Sequence, residues 1–135
     1  MTAMDRRYRA GACNIGPQEI ARRRRGGHAG SVLTIATFGL LVAVGAPRGL
    51  RLAVAFPATA AAAGYLQARL RFCAGFGLRG LANFGPLGRT DAVTDAEARA
   101  RDRRRAFQIG AASLAVGAAT GILAALIPVP HRALK

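Results

Sequence analysis

The chain has 135 residues, 52% of them hydrophobic, and carries a formal charge of +14 with a sequence pI near 11.9. Its mean hydropathy is nevertheless positive, +0.23, which excludes a disordered basic tail. The apolar residues come in blocks rather than at period 3.6 or 2, which argues against a water-soluble core and for one small integral membrane unit.

The N-terminal tail, 1–25, is basic and is expected to hold a short helix, because Pro17 suits a first helical turn and Asn14 can cap it. Glu19 can then pair with Arg22 or Arg23. Between Arg25 and Arg48 the only ionisable side chain is His28. A bilayer core of about 30 Å needs about 20 apolar residues in a helix, so 26–47 is read as the first transmembrane helix. Val44-Gly45-Ala46 has the small residues of a signal-peptidase site. The apolar stretch exceeds the usual core of a signal peptide, about 7–15 residues, and Pro47 would follow the cut directly. A retained span is expected.

The second span, 50–74, has no charge over 52–68 but is dominated by alanine and interrupted by Pro57. Proline removes a backbone donor and clashes with the preceding turn, so a kink is expected near 53–57. Arg69 and Arg71 are expected to snorkel to the interface. The stretch 75–93 is rich in glycine and, with Phe72, Phe76 and Phe84, reads as an interfacial loop whose rings face lipid or the other helices. Thr94-Asp95-Ala96-Glu97 reads as a capping box with Thr94 as the cap. Asp95 with Arg99 and Glu97 with Arg101 are spaced for pairs along the same helix. Nothing breaks that helix before Gly110, so 94–127 is expected to run from a charged segment into a third span. Pro128 stops it, leaving an external tail, 128–135. The expected fold class is all-α integral membrane: a kinked two-helix transmembrane hairpin plus a long capped helix continuing into a third transmembrane span.

Basic residues set the orientation. Three spans put the tail and the second connection on one side, with sixteen basic residues against four on the other. The positive-inside rule then gives a cytoplasmic N-terminus and an external C-terminus in a multi-pass plasma membrane protein. Nineteen of the twenty basic residues are arginine, and alanine and glycine abound, which suggests a GC-rich bacterial genome and an inner-membrane location. The arginines hug span boundaries, where they meet anionic headgroups of the lipid bilayer, rather than spreading over a groove-sized face with stacking aromatics. No nucleic-acid partner is expected.

Chemistry-bearing patterns are few. Pumps and proton relays place charged groups within their spans, and none is present in these windows. There is also no phosphate loop, nucleophile elbow or paired-carboxylate site, so neither an enzyme nor a cofactor is expected. Cys13, Cys73 and His28 are the candidate thiol or metal residues, although no CxxC or HxxxH spacing supports them and His131 falls on the other side. Ser113, Gly117, Gly121 and Ala125, at intervals of four, make a small-residue face for interaction. That face would serve a homo-oligomer or a larger membrane complex, or packing within the chain.

Two motifs stand out from this background. One is Cys13-Asn14-Ile15-Gly16-Pro17-Gln18-Glu19-Ile20-Ala21-Arg22-Arg23, just before the first span. The other is Gln67-Ala68-Arg69-Leu70-Arg71-Phe72-Cys73-Ala74-Gly75-Phe76-Gly77-Leu78-Arg79-Gly80, after the second. Together they resemble a family of small, uncharacterised bacterial integral membrane proteins with a two-span core and a cysteine in each motif. The likeness covers about residues 13–84; the capped helix and third span look like an addition to it. It implies membrane location and attaches no activity, and the two motifs are expected to pack together under the hairpin. Two functions fit: a structural, accessory or interaction subunit of the membrane, or a thiol-dependent redox or metal-binding membrane protein using Cys13 and Cys73.

Overall fold

The computed structural model describes residues 6–129; the end of the expected external tail, from 130 on, lies outside them. In chain order the elements are α1 (Pro17–Ala43), α2 (Arg48–Arg51), a 3-10 turn (Leu52–Val54), α3 (Ala55–Leu70), α4 (Ala74–Arg79), β1 (Leu81–Ala82), β2 (Asp91–Ala92) and α5 (Ala96–Leu126). Three helical stretches are long and apolar enough to cross a membrane: Pro17–Ala43, Arg48–Leu70 and Ala96–Leu126.

α3 packs against both α1 and α5, running antiparallel to each. Gly27 and Gly30 of α1 lie against Tyr65 and Ala61 of α3, and Gly64 meets the backbone of Gly27. On the other side of α3, Gly117 of α5 faces Thr59 and Ala55, and Gly121 faces Ala55 and Leu52. Small residues let the backbones approach, which is what dispersion-driven packing of apolar helices requires. Outward faces are apolar and exposed, including Val32, Ile35 and Leu40 on α1, Phe56 on α3 and Leu114, Ile122 and Leu126 on α5.

Four local features differ from the sequence reading. The short helix expected within the tail is not separate: α1 starts at Pro17 and continues through the arginines and glycines to Ala43. Gly27 and Gly30 survive in the helix because α3 fills the space beside them, and tertiary contact overrides their low propensity. Asn14 caps no helix; Gly16 occupies the N-cap position with no side-chain bond, since the Asn14 amide is held elsewhere. At α5 the cap is Asp95 rather than Thr94, with the Asp95 carboxylate accepting from the Ala98 amide at 2.9 Å. Asp95 caps as well as threonine does, and among the described residues it makes no ion pair with Arg99. Finally, the 75–93 loop contains α4 and the antiparallel β1–β2 pair, Leu81 opposite Ala92 and Ala82 opposite Asp91.

The second long helical stretch ends at Leu70, and Arg71 after it adopts a left-handed conformation (φ 55°) that turns the chain out of α3. At its other end Arg51 is buried rather than exposed in a connection. Its guanidinium Nη1 donates to the carbonyls of Ala124 (3.1 Å) and Ile127 (2.8 Å), satisfying orphan acceptors at the negative end of α5.

Candidate functional site

The largest fully buried side chains are Phe72, Ile15, Glu19, Val54, Asn14, Asn83 and Asp102. Four of these are polar, and all four lie where the strap 8–16 and the α3–α5 connection close over one end of the helices. Burying such groups costs free energy unless each finds a partner, and here the partners stitch the two motifs together.

Asn14 is the first stitch. Its Oδ1 accepts from the Cys73 amide (2.7 Å) and its Nδ2 donates to the Cys73 carbonyl (3.1 Å), as a second backbone strand would. The Asn14 amide donates to the Arg71 carbonyl, and a parallel bridge joins Ile15 to Asn83 through Asn83 N to Asn14 O (2.9 Å) and Gly16 N to Asn83 O (2.8 Å). Asn83 then turns its side chain inward. Its Nδ2 donates to Glu19 Oε1 (3.2 Å) and to the Pro86 carbonyl (3.0 Å), while its Oδ1 accepts from the Gly85 amide. Gly16 suits this crossing, because a Cβ there would stand 3.0 Å from the Phe84 backbone and press it aside.

The Glu19 carboxylate also pairs with Arg23, one turn on, at 3.3 Å. Arg23 Nη2 in turn donates to the Cys73 thiol sulfur at 2.9 Å, and its guanidinium lies 5.8 Å from the centre of the Phe76 ring. Cys73 is 4% exposed and shares an apolar cluster with Ile15 and Phe76. Carboxylate, guanidinium and thiol therefore form one chain of contacts beneath the strap.

Asp102 makes the second stitch, from α5. It is wholly buried, accepting from the Tyr8 hydroxyl at 2.6 Å and the Gly11 amide at 2.7 Å. Burial, then the hydrogen bond and negative charge of Asp102, push the Tyr8 phenol well above its ordinary pKa. Gly77 lets this region close, since a Cβ there would meet the Phe72 ring and the Asp102 carbonyl oxygen.

The other motif residues are distributed as follows. Gln67 accepts from the Ala74 amide and donates to the Ala63 carbonyl, shaping the exit from α3. Phe72 and Phe76 point into the protein, which selects the inward of the two orientations their sequence allowed. Gly80, at φ +67°, ends α4 and accepts from the Val93 amide. Arg22 is exposed, and the pairing role falls to Arg23. Cys13 is half-buried, its sulfur 3.8 Å from the Ile15 carbonyl. His28 contacts the Tyr65 hydroxyl at 2.7 Å, not a thiol. Among the described residues no three His, Cys, Asp or Glu side chains are grouped as a metal site needs, so Cys13, Cys73 and His28 are not assembled into one. Of the small-residue face, Ser113, Gly117 and Gly121 are buried and Ala125 is half-buried.

No protein-family model, curated protein or solved structure matches this chain.

Sequence reasoning missed Asn83, Asp102, Tyr8 and Arg51. Asp102 did leave a signal: it shares a helical stripe with Ala98, Ala106, Ile109 and Ser113, all buried. A lone carboxylate on the apolar face of an otherwise arginine-rich segment is a buried acceptor awaiting donors.

Proposed function

We propose that this chain is a structural or accessory subunit of a bacterial cytoplasmic membrane, with three spans, a cytoplasmic N-terminus and an external C-terminus. Its first two spans form a transmembrane hairpin, kinked above Pro57, and α5 carries a cytoplasmic extension into the third. The family resemblance of the two cysteine motifs belongs to the same proposal. One observation carries it: the apolar side chains face outward along the helices, while the densest burial, much of it polar, is at the arginine-rich end. Outward apolar faces suit lipid, and a hydrogen-bonded rim suits a rigid platform at the headgroups for other membrane subunits.

Reporter fusions at each connection test the topology, with the 75–93 loop expected on the same side as the N-terminus. Purification of the full chain in mild detergent tests the accessory role. A defined membrane partner or a homo-oligomer is expected, and a lone monomer counts against it.

The contact of Arg23 with the Cys73 sulfur favours a second reading, a thiol-dependent membrane protein. Replacing Cys13 and Cys73 together by serine separates the two readings. A double variant that keeps the wild-type cellular phenotype ends the thiol reading and leaves the accessory reading standing.

A further inference from the structure

The first half of α5 has two faces. Ala98, Asp102, Ala106, Ile109 and Ser113 are buried against the rest of the chain. Roughly opposite lies an open, shallow face formed by Ala100, Arg103, Arg104, Phe107, Gln108 and Ala111. Among the described residues neither Arg103 nor Arg104 meets a carboxylate, the only ion pairs being Arg23 with Glu19 and Arg101 with Glu97. Two uncompensated guanidinium groups thus stand on this face, and each can grip a phosphate through paired N–H donors.

Below them the chemistry changes abruptly. Arg105 is the last charged residue before a charge-free stretch that runs to Pro130. Phe107 is 63% exposed, and Leu114, two turns further along the same face, is 64% exposed. From Arg104 to Leu114 the helix rises about 15 Å, half the roughly 30 Å thickness of a bilayer core. A cationic head over an exposed apolar track one leaflet deep matches the charge and length of a single anionic phospholipid. Gln108 sits at the junction, where its side-chain oxygen accepts from Arg105 Nη1 at 3.5 Å.

We infer that this face of α5 is a binding site for one anionic phospholipid, its phosphate between Arg103 and Arg104 and an acyl chain along Phe107, Ala111 and Leu114. The inference rests on the membrane setting proposed above, and goes beyond it by giving the bilayer contact a location, a stoichiometry and a headgroup charge.

The test uses the full chain, delipidated in mild detergent and titrated with phosphatidylglycerol or phosphatidylcholine under native mass spectrometry. One phosphatidylglycerol per chain is expected, held about ten-fold more tightly than phosphatidylcholine. Arg103→Gln/Arg104→Gln should remove that preference without changing helicity, because both side chains are exposed. Arg24→Gln/Arg25→Gln, which removes the same charge from α1, should retain it. Equal loss in both double variants, or no loss in the first, overturns the site in favour of diffuse charge attraction. Disulfide-linked dimers of an Ala111→Cys variant that also carries Cys13→Ser and Cys73→Ser, formed with a mild oxidant in detergent without lipid, overturn it in favour of a second copy of the chain. Alkaline carbonate extraction keeps the two proposals apart. Release of the protein without detergent sinks the membrane reading, whereas lost lipid preference in a membrane-retained protein sinks this site alone.

Discussion

Substituting Gly64 by alanine tests whether α1 and α3 meet backbone to backbone. A Cβ at Gly64 would stand 2.5 Å from the Gly27 amide nitrogen and 2.8 Å from the Arg23 carbonyl oxygen. Both are main-chain atoms, so no rotamer change relieves the overlap. Contact becomes ordinary only from 3.4 Å, and the helices must therefore part by about 1 Å. A gap of that size forfeits roughly a quarter to a half of the dispersion energy of the facing atoms. Gly26 is the matched control: it lies in α1, and a Cβ there meets nothing within 4 Å. Both substitutions gain the same helix propensity, about 1 kcal/mol, so the difference between them isolates the overlap. We expect Gly64→Ala to be less stable than Gly26→Ala by about 1–3 kcal/mol, the usual cost of overpacking. Reversible unfolding in mixed micelles, followed by far-ultraviolet circular dichroism, reads this directly. Coincident unfolding curves for the two variants would show that the close approach of α1 and α3 does not exist in the folded protein.

Tyr8→Phe removes one of the two donors to buried Asp102 and should cost about 1.5–3 kcal/mol. Because the folded protein raises the Tyr8 pKa, the wild-type contribution is complete below about pH 10 and is lost as pH rises above it. Hydrogen exchange at the Gly11 amide should therefore accelerate above pH 10 in the wild type through Tyr8 ionisation, a component that the variant lacks; equal pH profiles would discount the Tyr8 contact. Asp95→Ala should destabilise α5 by about 1 kcal/mol while Thr94→Ala leaves thermal unfolding nearly unchanged, and the reverse order would restore Thr94 as the cap. A maleimide should label half-buried Cys13 well before Cys73, and Asn14→Ala should narrow the gap by releasing the Cys73 backbone. Equal labelling rates in the wild type would mean that the strap does not cover Cys73.

The three long helices were legible because their signal is compositional: charge-free blocks of about 20 residues leave the backbone few ways to satisfy itself except as helix. The two cysteine motifs were also visible as unusual, and Asn14 and Cys73 do meet. How they meet was not legible. Asn14 looks locally like a cap, and only the distant Cys73 amide and carbonyl reveal its task. Asn83 sits in an apolar, glycine-rich segment with no local periodicity, so its hydrogen bond to Glu19, 64 residues away, has no sequence signature. Arg51 follows Pro47 and Arg48 and reads as solvent-facing; its acceptors lie on α5, 73 and 76 residues later. At the start of α5, Thr94 and Asp95 are adjacent and equally good caps, and a spacing rule alone chose the wrong one. Local chemistry was readable where a property extends over many residues, and unreadable where a single long-range hydrogen bond decides.

The link between Tyr8, Gly11 and Asp102 also sets an order of events during synthesis. The donors precede their acceptor by 94 and 91 residues. When the ribosome has made α1 and α3, the strap has Asn14 and Cys73 to hold it, but its outer half has nothing to grip. Only after Asp102 emerges can Tyr8 and Gly11 make these two bonds. An early product of translation thus waits on a late one for its last two hydrogen bonds.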